Sequence, residues 1–305
     1  MKLEGIHHIT AITADAQRNL DFYVGAMGLR LVKKTVNQDD PSIYHLFYAD
    51  EQGSAGADLT FFEFPGTPPG RPGEGMVAGI RHRVGSQGAI EFWQDRLTEH
   101  GVEAELEDDH LRFADPEGLG HALKVVETDD EPLVADHPEI PAELALQGFD
   151  GALALSDDPE RSRPLMEEAL GFEPVGPAGW EARGEDRGGL WGYAPPPDEP
   201  GLQGAGSVHH IAWGSKPDEH EAWRDRVIEG GARPTPVIDR FYFRSIYFRE
   251  PSGVLFEIAT LGPGFTADEP LESLGEKLSL PPDYEHLRER IEGTVKPLVN
   301  PRAEH

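Results

Sequence analysis

The sequence predicts an α+β protein made of four βαβββ modules paired into two half-barrel domains. Three observations predict it. Four segments repeat one order: a short apolar strand, an amphipathic helix, then a Gly-apolar turn into further strands. The 35 Gly and 27 Pro among 305 residues suit a turn-rich β protein better than a helical bundle. A single βαβββ unit cannot bury both its helix and its sheet, so units must pair.

Module one opens with a strand over 5–10, continues in a helix over 14–25 and turns at Met27-Gly28-Leu29. Module two has a strand over 76–84, a helix over 87–100 and the turn Gly101-Val102. In that helix Ile90, Trp93 and Leu97 recur at i, i+3 and i+7, which is one helix face. Module three runs through a strand over 148–155 and a helix over 159–170 to Gly171-Phe172. Module four runs through a strand over 207–213 and a helix over 217–229 to Gly230-Gly231. Asp158 and Asp218 stand near helix starts, where a carboxylate satisfies free N–H groups. The alternating stretches 44–48 and 241–248 read as strands. Modules two and four share a late turn, Asp115-Pro116-Glu117-Gly118 and Glu250-Pro251-Ser252-Gly253, each leading into a strand. The organisation that follows is modules one and two over 1–127, an Asp-, Glu- and Pro-rich linker over 128–147, and modules three and four over 148–263. A tail over 264–305 carries a short helix through Tyr284, Leu287 and Ile291.

Composition narrows the chemistry. With no Cys, disulfides, thiolate metal sites and Cys nucleophiles are excluded, so any metal must be held by His, Asp or Glu. The net charge of −29 repels nucleic acid and anionic lipid, so neither is an expected partner. No apolar run is long enough to span a bilayer and the N-terminus lacks signal-peptide order, which places the protein in the cytoplasm. The acidity is dispersed along the chain, and only seven of the 27 basic residues are Lys. That pattern reads as adaptation to high salt, where counterions screen self-repulsion.

Of the thirteen His, His100, His110, His121, His137, His220, His286 and His305 lie in polar or terminal contexts and read as solvated. Two pairs differ. His7-His8 and His209-His210 each sit inside the first apolar strand of a module, where unpartnered imidazoles are costly. Adjacent strand residues face opposite ways, so each pair offers one His to a common site. Laying the repeats over one another, four residues beyond the late-turn Gly fall Glu257 in module four, Ala122 in module two and Thr60 in module one. Module three has Gly151 where module four has His210, and module two has His82 with no accompanying carboxylate. Modules one and four therefore supply one His from each pair, together with Glu257, to a common metal site. Two His and one carboxylate form the facial triad of non-haem Fe(II) oxygenases. The plain alternative for Glu257 is an ion pair with Arg244.

These residues resemble the vicinal oxygen chelate superfamily, which contains glyoxalases, bleomycin resistance proteins and extradiol dioxygenases. The strings GIHHITAI, QRNLDFYVGAMGLRLVKKTVNQDDPSIYHLFYAD, VHHIAW and the run 239–260 resemble, more narrowly, its ring-cleaving enzymes of the hydroquinone type. The resemblance implies a glyoxalase-like fold and Fe(II), with Mn(II) the second choice, on His8, His210 and Glu257. It implies an aromatic diol and O2 as substrates. It implies supporting roles for His7, Thr10, His209, Arg240 and Tyr247. Arg240 and Tyr247 are seven apart and cannot share one face of a regular strand, so Arg240 belongs to the loop before it. Asp150, where relatives often have His, and Glu63, at a usually uncharged place, depart from the pattern. Two rivals stand beside this reading: a glyoxalase or isomerase of the same fold, and a metal-free small-molecule binding protein. Thr60 in place of a fourth carboxylate ligand counts against the first and the intact triad against the second. Homo-oligomerisation is left open.

Overall fold

The computed structural model describes residues 1–304. Module one comprises β1 (Ile6–Thr13), α1 (Ala16–Leu20), β2 (Arg30–Val36), β3 (Tyr44–Ala49) and β4 (Asp58–Glu63). Its helix continues past α1 as a π-turn over Asp21–Ala26. Module two comprises β5 (Val77–Val84), α2 (Gln87–Glu99), β6 (Ala104–Glu107), β7 (His110–Ala114) and β8 (Gly120–Val125). Module three has β9 (Phe149–Leu155), β10 (Glu173–Pro174), β11 (Gly179–Arg183) and β12 (Gly188–Ala194). Its helix is reduced to a 3-10 turn, Pro159–Ser162, and a π-turn, Leu165–Ala169. Module four has β13 (Val208–Ser215), α3 (His220–Glu229), β14 (Ile238–Asp239), β15 (Arg244–Arg249) and β16 (Leu255–Thr260). In the tail, α4 is Arg288–Glu292.

The strands form two curled eight-stranded sheets, the half-barrels expected. The first has the order β14-β15-β16-β13-β1-β4-β3-β2 and the second β10-β11-β12-β9-β5-β8-β7-β6. Module one thus pairs with module four, and module two with module three. Within each module the first strand runs parallel to the last; between paired modules the first strands meet antiparallel. Ile9, Ile211 and Trp213 point to the side where Leu20, Tyr23 and Trp93 pack in the main core. His8 and His210 therefore point to the opposite face.

Polar side chains hold the module ends in place. Ser86 caps α2 by accepting from the Ala89 N–H. Glu63, the unexpected acid, accepts from the Ala16 N–H at 3.1 Å and caps α1. The late turns of modules two and four are built alike. Asp115 accepts from the N–H groups of Glu117 and Leu119, and Glu250 from those of Ser252 and Val254.

Three sequence expectations need correction. His121 and His220 are buried, not solvated: His121 bonds Tyr23 and His82, and His220 bonds Ser215. (His305 lies outside the described residues.) The strand expected over 241–248 begins only at Arg244, because Phe241 takes a left-handed φ of 70° in the turn before it. Finally, the strand pairing puts Gly79, not His82, at the module-two position equivalent to His8. Ala122 pairs with Arg81 as Thr60 pairs with Thr10, which places the His8 equivalent two residues before Arg81. His82 is three residues away and points into the core.

Candidate metal centre

β1 and β13 lie side by side at the middle of the first sheet, and β16 flanks β13. His8 stands opposite Ala212, and Ala212 opposite Glu257. Three side chains from three adjacent strands thus meet on one face. Glu257 Oε2 is 2.9 Å from His210 Nε2 and 3.2 Å from His8 Nε2, and the two Nε2 atoms are 3.3 Å apart. All three residues are buried, Glu257 completely. Among the described residues, no other three His, Asp or Glu side chains converge in this way.

The donors suit a divalent ion. Neither Glu257 oxygen receives a well-formed hydrogen bond, and a fully buried carboxylate without a compensating cation is strongly unfavourable. Burial pushes the Glu257 carboxyl upward. The adjoining His8 and His210 outweigh that and hold it well below the usual carboxylate range. Burial lowers His210. An ionised carboxylate beside a neutral imidazole is the state a metal requires, and two N donors with one O suit a first-row divalent ion. The alternative ion pair is absent: the Arg244 guanidinium goes to the Pro217 carbonyl, at 2.6 Å.

The paired His follow from two β-bulges. Between β1 and β13 the register slips at His7 and again at His209. Each bulge inserts one extra residue and suspends strict alternation, so both members of each pair can touch. His8 and His210, one from each pair, reach Glu257, while His7 and His209 touch them from behind at Nδ1. His7 Nδ1 lies 2.9 Å from His8 Nδ1, and His7 Nε2 lies 3.2 Å from the Thr260 carbonyl. A carbonyl only accepts, so His7 Nε2–H donates to it. His7 Nδ1 then accepts from His8 Nδ1–H, leaving the lone pair of His8 Nε2 aimed at Glu257 and the centre. This chain fixes the tautomer as outer partners of metal-binding His do. Burial foremost, then His8, pull His7 down to about 3, so it stays neutral. His209 Nδ1 touches His210 Nδ1 at 2.8 Å in the same manner, but His209 reaches the surface.

In front of the centre is a recess of about 440 Å³, open to solvent. His8, His210 and Tyr247 form one wall, Phe47, Phe62 and Phe243 supply apolar faces, and Arg240 sits at the rim. Tyr247 is paired with Glu257 across β15 and β16, and its ring meets His210 edge-on at 5.6 Å. Burial and then the charge of Glu257 raise the Tyr247 phenol, which keeps its proton and remains a donor. Arg240 lies in the turn before β15, as the spacing argument requires. Its guanidinium stands 5.5 Å over the Tyr247 ring and pairs with Asp39 at 3.0 Å. Thr10 is buried and does not line the recess. Its hydroxyl accepts from Thr60, which in turn is 2.8 Å from His45. Thr60 occupies the register position of Glu257, so a hydrogen-bonded Thr-Thr-His run stands where a fourth ligand would be. Sequence reading missed His45, Phe47, Phe62 and Phe243. The alternation in β3 put His45 and Phe47 on one face, but nothing in the sequence tells which face that is.

Comparison with known proteins identifies the family. The family model of the glyoxalase/bleomycin resistance protein/dioxygenase superfamily matches residues 5–120 and 148–258. The chain belongs to this superfamily. Within it, the chain is 43% identical to MhqO of Bacillus subtilis, named as a ring-cleaving dioxygenase, over 97% of both chains. It is 32% identical to the chlorohydroquinone/hydroquinone 1,2-dioxygenase of Sphingobium indicum over 98% of both. A Bacillus subtilis crystal structure described as a dioxygenase superposes with a TM-score of 0.92 at 40% identity, covering 98% of each chain. Glyoxalase I from Zea mays shares the superfamily fold, with a TM-score of 0.57 at 15% identity, 86% of this chain and 93% of that one.

Proposed function

We propose that this chain is an Fe(II)-dependent ring-cleaving dioxygenase acting on an aromatic diol of the hydroquinone or catechol type. The observation that carries the reading is the convergence of His8, His210 and Glu257 behind an aromatic-walled recess, in a chain whose relatives are ring-cleaving dioxygenases. A ferrous ion held by these three would let the diol and O2 react at one place, so that a ring carbon–carbon bond breaks and both oxygen atoms enter the product.

The chain's own groups do the rest. Phe47, Phe62 and Phe243 bracket a planar ring and exclude water from it. Tyr247 donates its O–H to negative charge developing on oxygen, and the Arg240 guanidinium above its ring adds a fixed cation. His7 and His209 hold the ring planes of His8 and His210, and His209 offers the route for protons to solvent. Thr10 steadies Thr60 beside the site. The isomerase alternative requires a redox-inactive ion and, in the four-ligand pattern, a carboxylate where Thr60 stands.

Metal analysis followed by oxygen uptake tests the proposal. Protein loaded under reducing conditions is expected to hold one iron per chain and to consume one O2 per diol, with mass spectrometry finding both atoms in the product. Iron-loaded protein that takes up no oxygen with any hydroquinone or catechol would transfer the assignment to the isomerase reading.

A further inference from the structure

The second sheet repeats the architecture of the first with its chemistry exchanged. The same two bulges occur between β5 and β9, so positions correspond one for one. The triad positions there are Gly79, Gly151 and Gly192. No backbone strain calls for glycine at Gly79 or Gly192. An added Cβ would meet nothing nearer than 3.8 Å at the first and 3.5 Å at the second. Where the first sheet presents Phe47 and Phe62 beside its centre, the second presents Arg112 and Lys124. Where the first has Thr10, the second has Arg81.

The result is a broad cleft open to solvent. Its cations are close neighbours: burial lowers His110, and the charges of Arg81, Lys124 and Arg112 lower it further. Arg81 pairs with Asp150, and Arg112 with Glu107 at 3.0 Å. Lys124 has no ion pair among the described residues. Leu153 and Val175, 38% and 49% exposed, supply an apolar side to the same cleft. A concentration of cations is unexpected in a chain of net charge −29, whose overall field repels anions. A binder of anions here must act at short range, through side chains that touch the ligand.

We propose that this cleft is a second, metal-independent site for a small organic anion: an apolar or aromatic body seated on Leu153 and the glycine floor, with a carboxylate or sulfonate against Arg112 and Lys124. The shape matches a site in which apolar walls supply most of the contact and a few placed charges orient the ligand. The site does not depend on the identity of the metal in the first sheet.

Anilinonaphthalene sulfonate is a suitable probe, because Trp180 and Trp191 line the cleft and report its arrival by energy transfer. The intact protein is expected to bind one probe molecule. Arg112→Ser with Lys124→Ser should weaken binding roughly tenfold or more, as loss of charged hydrogen bonds does. Gly192→Leu should block it by filling the floor. His210→Ala should leave it unchanged, and circular dichroism should show every variant folded. Unchanged affinity in both the double variant and Gly192→Leu, or loss of binding in His210→Ala, would overturn the proposal. So would sedimentation showing that these substitutions dissociate a dimer, which would make a second copy of the chain the occupant.

Discussion

The chemistry of the candidate centre depends on which nitrogen of each imidazole carries the proton. The Thr260 carbonyl sets this for His8 through His7, two side chains away from the metal position. His8→Ala, His210→Ala and Glu257→Ala each remove a donor, and each is expected to abolish stoichiometric iron binding in metal analysis. His82→Ala is expected to bind iron normally, since His82 faces the core and bonds His121 at 3.0 Å. Iron lost from His82→Ala but retained by His8→Ala would refute the pairing of modules one and four at the metal. Tyr247→Phe keeps the ring against His210 and removes one hydroxyl. Loss of one preorganised donor costs about 3 kcal/mol of transition-state stabilisation, roughly a hundredfold in rate. Stopped-flow oxygen consumption by iron-loaded Tyr247→Phe should therefore fall by about that factor with iron content intact. A parental rate would remove Tyr247 from the mechanism.

Among the secondary-structure elements, the connecting segments matter as much as the strands. Asp130, in the stretch between modules two and three, accepts from Arg83 at 2.5 Å, from Arg183, and from the Gly188 N–H at 3.2 Å. It pins that stretch to β5, β11 and β12 of the second sheet. Burial opposes its charge, but the two Arg hold its pKa down to about 2. The folded pKa lies below the unfolded value near 4, so the stabilisation is present above pH 4 and is lost as pH falls toward 2. Asp130→Asn should lower stability at neutral pH by about 2 kcal/mol, the scale of a hydrogen-bonded charge. In denaturant titrations its deficit against the parent should shrink between pH 4 and 2. A deficit independent of pH would mean that the ionised carboxylate contributes nothing.

Across the protein, charge and topology act together. The two ends of the chain share one sheet: β1 and β13 are neighbours although some two hundred residues separate His8 from His210. Cohesion of that sheet must overcome the self-repulsion of a net −29 charge. Added salt screens the repulsion, with a Debye length of about 10 Å at 0.1 M falling to about 3 Å at 1 M. The melting temperature is therefore expected to rise from millimolar to molar KCl, as in a protein adapted to high salt. A melting temperature that stays level over that range would remove the high-salt reading.

The repeat order and the two His-His pairs were legible in the sequence because both are local. A strand, a helix and a turn leave their periodicities in consecutive residues, and counting from the late-turn Gly found Glu257 and Thr60 at equivalent positions, which the strand register bears out. Pairing of module one with module four was legible too, because only those modules carry a His-His pair in the first strand. Three features were decided only by tertiary structure. The bulges at His7 and His209 arise from how β1 and β13 pair, so a parity rule applied to either strand alone could not find them. His45, Phe62 and Phe243 reach the recess from separate segments, and which side of β3 faces the centre depends on its place in the sheet. The cationic cleft was hidden for the same reason. Arg81, Arg112 and Lys124 are far apart along the chain and become one surface only when β5, β7 and β8 are laid in register. Local pattern specifies elements, but the face each strand turns to its neighbours is set by non-local pairing, and that pairing assembles the site.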